Sequence, residues 1–104
     1  MSVVVVIRFP VSNVADAIVG LNANAAVLEE ITELTKDHGM VSHRFLSGSD
    51  HLAVVDEWES ADQFQAFFDG NPRVAEVMTS IGMSGPPEIS VFESVDAPGN
   101  LLRH

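Results

Sequence analysis

The ten residues from His51 to Ser60, HLAVVDEWES, restrict the fold more than any other part of this 104-residue chain. Leu52, Ala53, Val54 and Val55 form an apolar run of strand length; Asp56, Glu57 and the only tryptophan, Trp58, follow; and Ser60 stands three residues before Gln63. Serine and glutamine at that spacing mark a helix start, where the serine oxygen takes up a free backbone N–H. A core strand must therefore end in polar residues and turn directly into a helix. With an apolar run, an acidic pair, the tryptophan and a helix cap in one short segment, this is where core and possible site meet.

The rest of the chain arranges itself around that segment. Val3 to Phe9 is apolar except for Arg8, the pattern of a strand covered on both faces. Pro10 ends it, and Ser12 or Asn13 can cap a helical stretch, Val14 to His38, that Gly20, Asn22 and Asn24 weaken in the middle. Its stronger half carries an apolar stripe of Ala25, Val27, Leu28, Ile31, Thr32 and Leu34, and Gly39 supplies a left-handed stop. Val41 to Ser47 and His51 to Trp58 read as two strands joined by a hairpin turn at Gly48-Ser49-Asp50. Beyond Ser60, Phe64, Phe67 and Phe68 give a helix one apolar face. Asp69-Gly70-Asn71 interrupts it, and Pro72 restarts it with Val74, Val77, Met78 and Ile81 on the packed side. A flexible connector, Gly82 to Pro87, leads to a last strand from Glu88 to Val95. Residues 1–96 are thus expected to form one domain and 97–104 a C-terminal tail.

Charge and composition exclude several functions. Fifteen acidic against five basic residues give a net charge of −10 with no basic cluster. Phosphate-based nucleic-acid binding has no footprint in such a chain, and an anionic membrane surface would repel it. Without cysteine there is no thiol nucleophile, disulfide or thiolate metal site. The start, MSVVVVIRF, lacks a basic leader region and meets Arg8 too early for a signal peptide or a span, so the expected location is the cytoplasm. No metal-binding histidine pair, dinucleotide fingerprint or phosphate loop occurs, and neither a metal nor another cofactor is expected.

The order strand, helix, strand, strand, broken helix, strand is satisfied by an α+β, ferredoxin-like split β-α-β-β-α-β fold, an antiparallel sheet with the helices on one face. The strands carry apolar residues on both sides, so the bare face calls for a cover, and a second copy provides it most simply. The expected assembly is a homodimer with two sheets face to face, enclosing a cavity in each subunit.

In this order of elements, and above all in DEWESADQFQAFFDGNPRV and the shorter KDHGMVSHRF, the chain resembles the dimeric α+β barrel superfamily and, within it, the antibiotic biosynthesis monooxygenase (ABM)-like proteins. The resemblance spans about residues 3–95. It implies one of several activities hosted by that fold: cofactor-independent oxidation of polycyclic phenols, haem degradation, or isomerisation and cyclisation. It also implies that Trp58 lines the pocket, as the tryptophan ending the third strand does in haem-degrading relatives. Those relatives ligate iron with a histidine on the following helix, whereas this chain has Phe67 and Phe68 there and no histidine from Glu59 to Leu102.

His43 and Asp56 are the residues best suited to chemistry. A hairpin turning at Ser49-Asp50 sets Val41 opposite Trp58, His43 opposite Asp56 and Phe45 opposite Val54. A carboxylate beside an imidazole fixes its tautomer and suits it to take a proton from a phenol or enol. A one-residue slip would abolish the pair. Arg8 either holds a substrate oxyanion or forms a structural ion pair with Glu57, Glu88 or Glu93. Trp58, Phe45, Phe64, Phe68, Met78 and Phe92 are the candidate surface for a small apolar or aromatic ligand, although any core of this size would use the same residue types. His38, His51 and His104, at a helix end, after a turn and at the terminus, have plainer explanations. The leading expectation is a cofactor-independent oxygenase acting on a hydrophobic phenolic or polyketide-like molecule by proton abstraction. The alternative is a non-catalytic, hydrophobic-ligand-binding or stress-associated barrel protein.

Overall fold

The computed structural model describes residues 2–101; Leu102 to His104, the end of the expected tail, lie outside that range. In chain order the elements are β1 (Val3–Pro10), α1 (Val14–Ala23), α2 (Ala25–Lys36), β2 (Met40–Ser47), β3 (His51–Trp58), α3 (Ala61–Gly70), α4 (Pro72–Ser80) and β4 (Glu88–Glu93). The four strands form one antiparallel sheet in the order β2-β3-β1-β4. This is the expected split β-α-β-β-α-β arrangement, with each helical region divided in two.

Both divisions follow from local chemistry. The Asn24 amide donates to the carbonyl of Gly20 at 2.8 Å, taking up a carbonyl at the end of α1 before α2 begins. Gly20 lets α1 approach the end of α4, since a Cβ there would lie 2.9 Å from Ile81. At the second division the Asn71 amide donates to the carbonyl of Phe67 at 2.9 Å, and Pro72 opens α4, where its missing N–H costs nothing. Ser60 caps α3 by accepting from the Gln63 backbone N–H at 3.2 Å and donating to the Gln63 side-chain oxygen at 2.9 Å. Gly39, at φ +101°, turns the chain from α2 into β2.

Alternation along the strands divides the sheet into a helix-covered and an open face. Val3, Val5, Ile7 and Phe9 of β1 are buried beneath the helices with Leu52, Val54 and Trp58 of β3. Against them pack Ala17, Phe64, Phe67, Met78 and Ile81. At about 1.5–3 kcal/mol for each large side chain removed from water, this cluster is the main driving force for the fold. Val4 and Val6 are only half-buried and Arg8 is exposed, so β1 is not covered on both faces within one chain.

Three further details differ from the sequence reading. The connector after α4 is tied down: Met83 bridges to Val11, and the Ser84 N–H donates to the Pro10 carbonyl at 2.8 Å. Strand β4 stops at Glu93, and Val95 beyond it is exposed. On α2 the packed stripe is rotated, because Thr35 is buried whereas Ala25 and Leu34 are exposed.

Candidate functional site

The hairpin register decides which side chains can meet. His43 pairs with Asp56 and Phe45 with Val54, as the turn position implies. The pairing changes by one residue beyond Ser42, where Met40, and not Val41, faces Trp58. Val41 is the extra residue of this bulge and lies exposed. The bulge is what sets Met40 opposite Trp58. Asp56 is also paired with Val5 of the central strand, so His43, Asp56 and Val5 form one row on the helix-covered face.

Within that row lies a compact polar group. His43 Nδ1 is 2.6 Å from Asp56 Oδ1, and the Trp58 indole N–H donates to Asp56 Oδ2 at 3.3 Å. Asp56 is only 6% exposed, so a partner on each oxygen is what makes its burial tolerable. An ionised carboxylate only accepts, so in the neutral imidazole this contact places the proton on Nδ1 and leaves the lone pair on Nε2. Nε2 has no hydrogen-bond partner among the described residues and is not sealed from its surroundings. The Phe45 ring stands edge-on to the imidazole at 5.0 Å and limits its rotation.

These residues form one wall of a chamber between the sheet and α2, α3 and α4, with a volume of about 80 Å³. His43, Asp56, Trp58, Phe45, Phe64, Phe68 and Met78, all singled out in the sequence, line it. Trp58 and Phe64 lie edge to face at 5.7 Å, and Phe64 and Phe68 stack at 5.7 Å, giving the chamber a continuous aromatic side. Leu28, Ile31, Thr32 and Thr35 of α2, Val74 of α4 and Met40 of β2 complete the lining. In the sequence Leu28, Ile31 and Thr32 belong to an ordinary packing stripe, and nothing distinguishes Thr35.

Two candidates stand elsewhere. Arg8 follows Val4 and Val6 onto the open face, pairs across the ladder with Ala53 and Glu88, and forms no ion pair among the described residues. Glu57, one of its expected partners, instead accepts from the Ser2 hydroxyl at 2.6 Å. Phe92 pairs with Val4 and is exposed on the same open face. Strand alternation carries both away from His43 and Asp56, so neither lines the chamber. The chamber itself is contained in a single chain and lies under the helices, not between two sheets.

His38 and His51 behave as structural groups, and His104 lies outside the described residues. His38 Nδ1 lies 2.7 Å from the Leu34 carbonyl at the end of α2, and His51 Nδ1 lies 2.9 Å from Asp50. That contact with His51 holds the Asp50 carboxyl below its usual range. Among the described residues no group of three or more histidine, aspartate or glutamate side chains is placed to hold a metal ion, and no helix is long and apolar enough to cross a membrane.

A four-stranded antiparallel sheet with helices on one face and an apolar chamber between them defines a ferredoxin-like α+β protein. No family model and no curated protein matches the sequence. Among solved structures, a monooxygenase from the gene ActVA-Orf6 of Streptomyces coelicolor, crystallised in complex with the ligand nanaomycin D, is 24% identical with a TM-score of 0.67, covering 99% of this chain and 93% of its own. SnoaB, a cofactor-independent oxygenase from Streptomyces nogalater, is 17% identical with a TM-score of 0.58, covering 95% and 98%. A dimeric ferredoxin-like protein from an uncultured marine organism is 12% identical with a TM-score of 0.71, covering 99% and 93%. The chain shares the ferredoxin-like fold of these proteins.

Proposed function

We propose that the protein is a cofactor-independent oxygenase that deprotonates a hydrophobic phenol or enol with His43. The observation that carries this reading is the 2.6 Å contact between His43 Nδ1 and Asp56, which in the neutral imidazole leaves Nε2 free to act as a base, on a residue that lines an apolar chamber. Asp56, held in turn by Trp58, fixes the tautomer and faces the imidazolium once the proton has moved. The two fold relatives described as oxygenases lend support from outside the chain.

The chemistry balances with dioxygen as the only co-reactant. The substrate hydroxyl gives its proton to Nε2, and the resulting anion, electron-rich at a ring carbon bearing hydrogen, is oxidised by O2. One oxygen atom enters the product as a new carbonyl, and the other leaves as water with the two hydrogens lost by the phenol as it becomes a quinone. Exclusion of water by the aromatic wall keeps the anion from being reprotonated before oxygen arrives. A volume of about 80 Å³ is below the roughly 300–1,000 Å³ of sites for drug-sized ligands. A ringed substrate therefore enters by displacing the half-buried side chains of Phe45, Phe68 and Met40, which pack against the edge of the core.

The active unit in this reading is a homodimer joined through the open sheet face, where Val4, Val6 and Val55 are half-buried and Leu46 and Phe92 are exposed. The protein from the marine organism, described as dimeric, shares the fold. Light scattering tests this directly: Val6→Lys should turn a dimer into a monomer, and a wild-type monomer would refute the assembly.

Oxygen uptake measured with one-, two- and three-ring phenols tests the enzyme. His43→Ala should abolish uptake while lowering affinity for a phenol by about tenfold, far less than the loss of turnover. Equal turnover in this variant would remove His43 from the mechanism. Ligand binding without uptake in the wild type would favour the non-catalytic binding protein.

A further inference from the structure

The hydrogen-bonding groups on the chamber wall are nearly all of one kind. The Nδ1 proton of His43 and the indole proton of Trp58 are both given to Asp56. The Thr35 hydroxyl donates to the Thr32 carbonyl at 2.6 Å, and the Thr32 hydroxyl donates to the Leu28 carbonyl at 2.9 Å. Every side-chain proton donor on the wall is thus already engaged. What remains for a ligand is a set of acceptors: His43 Nε2 and the free lone pairs of the two threonine oxygens.

Among the described residues no cation offsets this. None of the residues lining the chamber is lysine or arginine. Arg8 and Arg44 alternate onto the open face of the sheet, Lys36 is paired with Glu33 at 2.8 Å, and Arg73 with Glu30 at 3.3 Å on the outer surface. The one formal charge in the wall is the carboxylate of Asp56. A ligand carboxylate taken into this space would lose its water, meet no cation and lie near a like charge. A ligand bearing only carbonyl oxygens would find no donor.

We propose that the chamber selects uncharged, apolar molecules that present a hydroxyl as hydrogen-bond donor, and rejects both their carboxylated analogues and their oxidised, keto-only counterparts. This deepens the oxygenase reading and rests on the same site. The negative charge produced on the substrate is balanced inside the chamber only by the His43 imidazolium, so the conjugate base must spread its charge over its own ring system. Two consequences follow for the reaction sequence. Any carboxyl group on the precursor must be removed or esterified by an earlier reaction, and the quinone product is released because it no longer has a proton to donate.

The lone tryptophan makes this testable without turnover, since the protein has a single indole N–H and that group points at Asp56. The indole proton signal of ¹⁵N-labelled protein would be titrated under nitrogen with 1-naphthol, 1-methoxynaphthalene, 1,4-naphthoquinone and 5-hydroxy-1-naphthoate. We expect 1-naphthol to bind at least about tenfold more tightly than each of the other three, the size of loss seen when a buried polar partner is left unmatched. His43→Ala should narrow the gap between 1-naphthol and 1-methoxynaphthalene by lowering affinity for the naphthol alone. Equal or tighter binding of the naphthoate or the quinone would overturn the selectivity, while oxygen uptake could still uphold the enzyme. A titration in which none of the four moves the indole signal would overturn the chamber as a ligand site altogether.

Discussion

Asp56→Asn tests the His43–Asp56 pair with almost no change of shape. Asp56 accepts from two donors, His43 Nδ1 at 2.6 Å and Trp58 Nε1 at 3.3 Å. An asparagine has one oxygen and one NH2 to offer them. If the imidazole kept its proton on Nδ1, the NH2 would confront either that proton or the indole N–H, and a buried donor left unmatched costs about 1–3 kcal/mol. The conflict disappears when the oxygen stays on Trp58, the NH2 faces His43, and the imidazole moves its proton to Nε2. Folding stability then changes little, but the lone pair has left the chamber. Turnover should fall on the order of 10³–10⁴-fold, as when the carboxylate behind the histidine of a serine protease is made an amide. That corresponds to about 4–5 kcal/mol on the barrier. Oxygen uptake measures the rate, chemical denaturation the stability, and long-range ¹H–¹⁵N correlation the tautomer. Undiminished turnover, or an unprotonated Nε2 in the variant, would refute the argument.

Four further outcomes follow from other parts of the molecule. Gly39→Ala should destabilise the protein by roughly 1–2 kcal/mol or more in chemical denaturation, because the residue sits at φ +101° and a Cβ would meet the Gln63 amide. Gly20→Ala gains up to about 1 kcal/mol of helix propensity but forces a Cβ to 2.9 Å from Ile81, and overpacking of about 1–3 kcal/mol should make it a net loss in the same assay. Phe68→Ala, at a half-buried position of the chamber, should raise affinity for three-ring over two-ring phenols in a direct binding titration. His51→Ala should let the Asp50 carboxyl rise toward its ordinary range in an NMR titration. Since that carboxyl is depressed in the folded state, the pair's small stabilisation is present above the unfolded carboxylate pKa and is lost as pH falls through the folded value.

The sequence by itself determined the order of elements, the sites where both helical regions break, and the His43–Asp56 pairing. Each of these depends on neighbours a few residues away: asparagine and proline at the helix breaks, serine and glycine at the caps, and a tight turn that fixes which residues of a hairpin stand opposite. Even there the reach was short. The bulge at Val41 was invisible because the turn sets the register only from the hairpin outward, and the shift lies at the far end of β2. Tertiary structure alone decided which face of the sheet the helices cover. Alternation told that Arg8 and Phe92 lie apart from Val5, and Val5 beside Asp56 only once the β1–β3 register was known. An apolar strand such as β1 looks the same whether its second face meets helices or another subunit, so the chamber's place beneath the helices could not be read from it. The same holds for the threonines of α2. Their hydroxyls turn to their own helix carbonyls, and whether the remaining lone pairs face water or an apolar chamber is settled only when the sheet closes beneath them.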